Sequence, residues 1–278
     1  MPLVIAIALI VFAVWALVIY PRRKKSSIAF SAQHRDILNT RVLFYHKLND
    51  TQKKQFETDI IYFLEHYRIT GVGFTPTEED RMLVAASGVI PIFGFPHWMY
   101  RNLNEVLIYP NAFNHQYETS GTDRNIAGMV GSGAMNRTMI LSRQALHDGF
   151  ENEHSKSNVG IHEFVHLIDK ADGAVDGLPE SIMAKPYMLP WLKMIHEEIS
   201  AIRHHDSDIN PYGAYNEGEF LSVVSEYFFN QPELLERKHP GLYAALTRIF
   251  HQDPAALPDT DGEAKRSAAL PPAPHDPV

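Results

Sequence analysis

At 278 residues the chain is long enough to bury a core as one large domain or two small ones. Its formal net charge of −8 argues against a surface built for nucleic acid, so no nucleic-acid partner is expected. Cysteine is absent, which removes disulfides and thiolate metal sites and leaves histidine and carboxylate as the only zinc ligands available.

Residues 3–20 carry no charge and are rich in Ile, Val, Leu and Ala. As a helix they would span about 27 Å, close to the hydrocarbon thickness of a bilayer. Pro21-Arg22-Arg23-Lys24-Lys25 follows directly. A cleavable signal peptide places its basic residues before the apolar run, and here the order is reversed. Residues 1–21 are therefore expected to be one N-terminal transmembrane helix that stays attached. By the positive-inside rule it would hold the rest of the chain at the cytoplasmic face of the cell inner membrane. Residues 22–40 read as a polar juxtamembrane link.

From residue 41 to 68 the apolar spacing turns helical, with Phe44, Tyr45 and Leu48 on one stripe and Phe56, Ile60, Ile61, Phe63 and Leu64 on another. Asn49-Asp50 marks the break between them and a helix cap. Thr75-Pro76-Thr77-Glu78-Glu79-Asp80 is a second helix start, leading into Met82-Leu83-Val84-Ala85-Ala86. Three short apolar runs read as strands: Val89-Ile90-Pro91-Ile92-Phe93-Gly94, Val106-Leu107-Ile108-Tyr109-Pro110 and Thr138-Met139-Ile140-Leu141-Ser142. Residues 119–133 read as a loop or hairpin. A strand just ahead of the next motif would either offer a free edge to an extended peptide or lie in the sheet interior.

That motif is Ile161-His162-Glu163-Phe164-Val165-His166-Leu167-Ile168-Asp169, an H-E-x-x-H pattern inside an apolar run. On a helix, four residues bring His162 and His166 onto one face, where two imidazoles can grip a single Zn²⁺. Glu163 projects about 100° away, beside the metal instead of on it, as a general base requires. The plainer alternative is an amphipathic helix with two hydrogen-bonded histidines. Asp172-Gly173-Ala174-Val175-Asp176-Gly177 then ends the helix; two acids beside glycines could bind a cation, but a solvated turn is the commoner case. Residues 191–199 form an amphipathic helix, and His204-His205-Asp206 reads as a surface cluster.

A third ligand is sought further on. From Glu219 the sequence is helical and apolar up to Gln231-Pro232, with Glu219 and Glu226 two turns apart on one face. Buried carboxylates need a partner or a metal, and zinc on two histidines and one carboxylate keeps a position for water. On chemistry alone Glu217, Glu219 and Glu226 all qualify. Residues 242–250 form a last helix, and the Pro- and Ala-rich residues 255–278 read as a disordered tail.

The run at residues 106–110, the H-E-x-x-H helix, Glu219 through Ser225-Glu226-Tyr227-Phe228-Phe229-Asn230-Gln231-Pro232-Glu233-Leu234, and the closing segment from Tyr243 to Gln252-Asp253-Pro254 together resemble the Mlc titration factor A family. The resemblance covers roughly residues 31–254. It implies a gluzincin-type zinc metallopeptidase whose active site is similar to that of the anthrax lethal factor catalytic domain. It further implies His162, His166 and Glu219 as zinc ligands, Glu163 as catalytic base and Tyr212 as oxyanion stabiliser. Glu226 and Asp169 fall on acidic positions of the family and would orient ligands or buried neighbours. Aminopeptidase-like activity and a transcriptional regulator as partner are also implied. The expectation is an α+β, mainly helical zincin-like domain over residues 41–254 with a small sheet. It would bind one Zn²⁺ and hydrolyse a peptide or protein substrate. The rival is a membrane-tethered protein that sequesters a transcription factor, with zinc only holding the fold.

Overall fold

Six of the described α-helices start where the sequence supplies a capping side chain. A computed structural model describes residues 28–114, 126–131, 136–152 and 154–257. Ser31 caps α1 (Ala32–Arg41) by accepting from the His34 N–H, and α2 (Leu43–His46) follows. Asn49 and Gln52 cap α3 (Asp50–His66) reciprocally, as Thr77 and Asp80 do for α4 (Glu78–Ile92). Between these two helices runs β1 (Arg68–Gly71). Next come β2 (Glu105–Tyr109), β3 (Gly128–Val130), β4 (Thr138–Ser142) and α5 (Arg143–Glu151). The chain closes with α6 (Val159–Asp169), α7 (Met188–Arg203), α8 (Glu217–Asn230), α9 (Pro232–Lys238) and α10 (Pro240–Phe250).

The sheet has the order β1-β2-β4-β3. β1, β2 and β4 run parallel, and β3 pairs antiparallel with β4, Gly128 opposite Leu141. The strand at 138–142 is thus interior, and the short β3 inside the stretch read as a loop or hairpin forms the edge next to it. Residues 119–125 and 132–133 of that stretch lie outside the described residues.

What fixes α6 is its contact with α4. Gly88 stands where any side chain would meet Phe63 and Phe164, a Cβ there falling 2.5 Å from the Phe63 ring. Gly160 abuts Ser87 in the same way. Phe164 is fully buried against Phe63 and Tyr100, with ring centroids 5.6 and 5.0 Å away. Burial of such a ring contributes about 1.5–3 kcal/mol. The H-E-x-x-H helix is therefore a core helix, with Ile161, Phe164, Val165, Leu167 and Ile168 buried, while His162 and His166 face α8.

Two expectations are corrected. Residues 89–92 belong to α4, not to a strand: that helix is buried on every side, so its sequence shows no periodic polar face. Pro91 lies in the last turn of α4, and the Gln252 side chain donates to the Ile90 carbonyl there at 2.9 Å. The stretch read as a link up to residue 40 contains α1, which buries His34 and Leu38. The anchor expected at residues 1–21, the start of the link to residue 27 and the tail from 258 onward lie outside the described residues. Among the described residues no helix is long and apolar enough to cross a membrane.

Candidate metal centre

Asn158 begins the site. Its side chain accepts from the Ile161 N–H at 3.1 Å and caps α6, and its own amide donates to Glu226 Oε2 at 2.5 Å. Glu226 Oε1 in turn faces His162 Nδ1 at 2.7 Å. The start of α6 and the middle of α8 are thereby tied by one buried carboxylate, which also sets the His162 ring. In the neutral imidazole, with Nδ1–H donated to Glu226, the lone pair lies on Nε2 and points the other way.

Three donor atoms converge at that point. His162 Nε2 lies 3.1 Å from Glu219 Oε2 and 3.1 Å from His166 Nε2, and His166 Nε2 lies 3.3 Å from Glu219 Oε2. Among the described residues this trio is the group able to hold a metal ion. Zinc bonds of about 2.0–2.1 Å in a tetrahedron put neighbouring ligand atoms about 3.3 Å apart, which is the spacing found. The charge balance agrees. Burial alone would push the His162 pKa down, yet Glu219 and Glu226 outweigh it and raise it to about 10, so the pocket favours positive charge. Burial likewise opposes ionisation of Glu219, but the two imidazoles win and hold its carboxyl down to about 2. The residues fit a zinc ion.

Glu163 is buried, and that burial raises its pKa while His162 and His166 pull the other way. Its carboxylate lies under the edge strand, where a Cβ at residue 128 would fall 2.6 Å from Oε1. A cleft of about 500 Å³ opens there, lined among others by Gly128, His162, Glu163, Asn210 and Tyr212. Tyr212 sits on a short 3₁₀ turn, Pro211–Ala214, with its amide donating to Asn210 Oδ1 at 3.0 Å. Its ring centroid is 6.1 Å from that of His162. Partial burial and the Glu219 charge raise its pKa, so the phenol stays protonated.

Glu217 is not part of the trio and instead meets His196 at 3.3 Å on the surface. Asp169 stands apart from the donor atoms. Its Oδ2 accepts from the Gly177 N–H at 2.9 Å, and burial raises its pKa to about 6. His204, His205 and Asp206 are exposed in the turn after α7. Asp172 and Asp176 accept backbone N–H groups of their own turn, as in a solvated turn.

The family of glucose-regulated metallo-peptidases M90 matches the chain over residues 19–251. The chain belongs to that family. An uncharacterized protein of Synechocystis, slr2042, is 30% identical over 229 residues, covering 78% of this chain and 83% of the relative. Mlc titration factor A of Yersinia enterocolitica is 28% identical over 242 residues, covering 81% of this chain and 87% of the relative. The protein of the same name from Pectobacterium atrosepticum is 28% identical over 181 residues, covering 60% and 66%. The matched stretch of this M90 chain contains the trio, Glu163, Tyr212 and Glu226.

Two contributors escaped the sequence reading. Asn158 was visible as a cap residue directly before the apolar run, a signal for the helix start. Gly128 was visible only as a lone glycine, which in a strand marks close approach of another group.

Proposed function

We propose that this M90 protein is a zinc-dependent peptidase that hydrolyses peptide bonds. The observation that carries the reading is the 3.1–3.3 Å spacing of His162 Nε2, His166 Nε2 and Glu219 Oε2, with Glu163 buried beside them. These three would hold the ion and leave one position open to the cleft. Bound there, zinc supplies Lewis acidity that polarises a carbonyl and lowers the pKa of water toward about 7. Glu163 takes the proton of the attacking water and passes it to the departing amine. Tyr212 donates its hydroxyl to the oxygen that gains charge. Glu226 keeps His162 in the tautomer whose Nε2 is free. Glu163→Gln is expected to keep zinc and lose hydrolysis of a quenched peptide, and full activity in that variant would refute the mechanism. Assays on free and N-acetylated peptides read whether cleavage is aminopeptidase-like.

The apolar residues 3–20, followed by Arg22-Arg23-Lys24-Lys25, support a tether to the cell inner membrane with the catalytic domain on the cytoplasmic side. Removal of residues 1–25 should then move the protein from the membrane to the soluble fraction.

A second reading is favoured by the name that two relatives carry, Mlc titration factor A. On that reading the chain binds a transcriptional regulator and zinc only supports the fold. Glu163→Gln would then leave the regulatory effect intact.

A further inference from the structure

We propose that Tyr215 and Val175, together with Tyr212, form an apolar ledge beside Glu219 that receives a large apolar side chain of the substrate. The inference rests on the peptidase reading and adds a substrate class to it. Among the described residues the exposed large hydrophobics are Met99, Val175, Tyr187, Leu189, Tyr212 and Tyr215. Three of these lie next to the trio or next to a neighbour of it: Tyr212 by His162, Tyr215 by Tyr212, and Val175 by Gly218. Tyr215 is 75% exposed, Tyr212 54% and Val175 51%. Single exposed apolar residues are ordinary; a group of them beside a concave polar site marks a binding surface.

The geometry ties the three to Glu219. The Tyr215 ring lies parallel to that of Tyr212, with centroids 6.3 Å apart and planes 10° apart, and Tyr212 neighbours His162. On the other flank, Val175 crowds Gly218, the residue before Glu219. A Cβ at Gly218 would fall 2.8 Å from Val175 Cγ1. Tyr212 thus neighbours a candidate ligand directly, Tyr215 stacks on Tyr212, and Val175 stands against the residue before Glu219.

Both supports are fixed by backbone contacts. The Tyr215 amide donates to the Tyr212 carbonyl at 3.1 Å, and Arg203 donates to the Ala214 carbonyl at 2.9 Å. The turn carrying Val175 is held at Gly177, whose amide donates to Asp169 and whose carbonyl accepts from Trp191 Nε1 at 2.7 Å. Gly177 itself has φ +73°, and a Cβ there would strike Glu217. A tyrosine on such a fixed turn loses little further freedom when it binds, which suits it to contact a side chain. Asp169, which has no place among the metal ligands, gains a role as the anchor of the Val175 turn.

The test measures binding and hydrolysis separately. The probes are Ala-based octapeptides with one Phe scanned through every position, compared with the all-Ala parent peptide. Binding is read by fluorescence anisotropy on zinc-loaded Glu163→Gln protein, and hydrolysis on the parent protein. At one position Phe should improve binding about tenfold, the order that one apolar side chain supplies. That preference should fall toward unity with Tyr215→Ser, survive Tyr215→Phe, and shrink with Val175→Ser, with zinc content the same in all. An undiminished Phe preference in Tyr215→Ser overturns the ledge, as does the lack of any Phe preference in the starting protein. A Tyr215-dependent preference without hydrolysis by the parent supports the ledge and removes the peptidase reading. Hydrolysis with a preference indifferent to Tyr215 does the opposite.

Discussion

Replacing Gly128 with alanine puts a methyl group where the Glu163 side chain lies. A Cβ there would fall 2.6 Å from Cγ and Oε1 and 2.8 Å from Cδ of Glu163. Ordinary contact starts at 3.4 Å, so one partner must give by about 0.8 Å. Strand β3 is held to β4 through the pairing of Gly128 with Leu141 and Met129 with Ile140. The end of a glutamate yields more easily than a paired strand, so the displacement falls on the carboxylate. Misplacing a reacting group by about 1 Å costs about 10²-fold in rate, equivalent to about 2.7 kcal/mol of barrier. Gly128→Ala should therefore lower kcat on a quenched peptide about 10²-fold. Zinc content, read by plasma mass spectrometry, should stay the same because the three atoms nearest the methyl all belong to Glu163 and none to a donor residue. A variant with intact zinc and the parent kcat would refute the placement of Glu163 as the base under the edge strand.

Glu226→Ala removes the partner of His162 Nδ1 and of the Asn158 amide, so zinc affinity in a chelator competition should weaken about 10- to 100-fold. Asp80 tests the scaffold instead. Burial pushes its pKa up, but Arg143 and His147, both at 2.7 Å, together with Thr77 outweigh this and hold it down to about 2. The folded value lies below the unfolded one of about 3.9, so the stabilisation is complete above that pH and lost as pH falls toward 2. Asp80→Asn should flatten the decline of urea midpoints between about pH 4 and pH 2, and an unaltered slope would contradict the assignment.

The H-E-x-x-H helix was readable because its chemistry is local: a four-residue spacing decides which side chains share a face, wherever the helix ends up. The same reasoning placed Glu219 and Glu226 on one face, two turns apart. It did not decide which of them meets the imidazoles, since that depends on how far α8 slides along α6, and the family resemblance made that choice. In the structure Glu219 meets both Nε2 atoms, and Glu226 reaches the far side of one ring. The apolar run at residues 89–94 misled because a helix buried all round and an interior strand look alike over six residues. Strand β1 went unseen because only Ile69 in it is buried. β3 was hidden because its three residues are half-buried and carry no alternation. Its role beside Glu163 arises from pairing with β4, a contact no local pattern encodes.

Metal content of the purified protein tests the central claim most directly. The account predicts one zinc per chain in the parent and in Glu163→Gln, and a sharp loss in Glu219→Ala, whose carboxylate meets both imidazoles at 3.1 and 3.3 Å. A parent that takes up no zinc, or a Glu219→Ala protein that still holds one per chain at the parent's affinity, would contradict it.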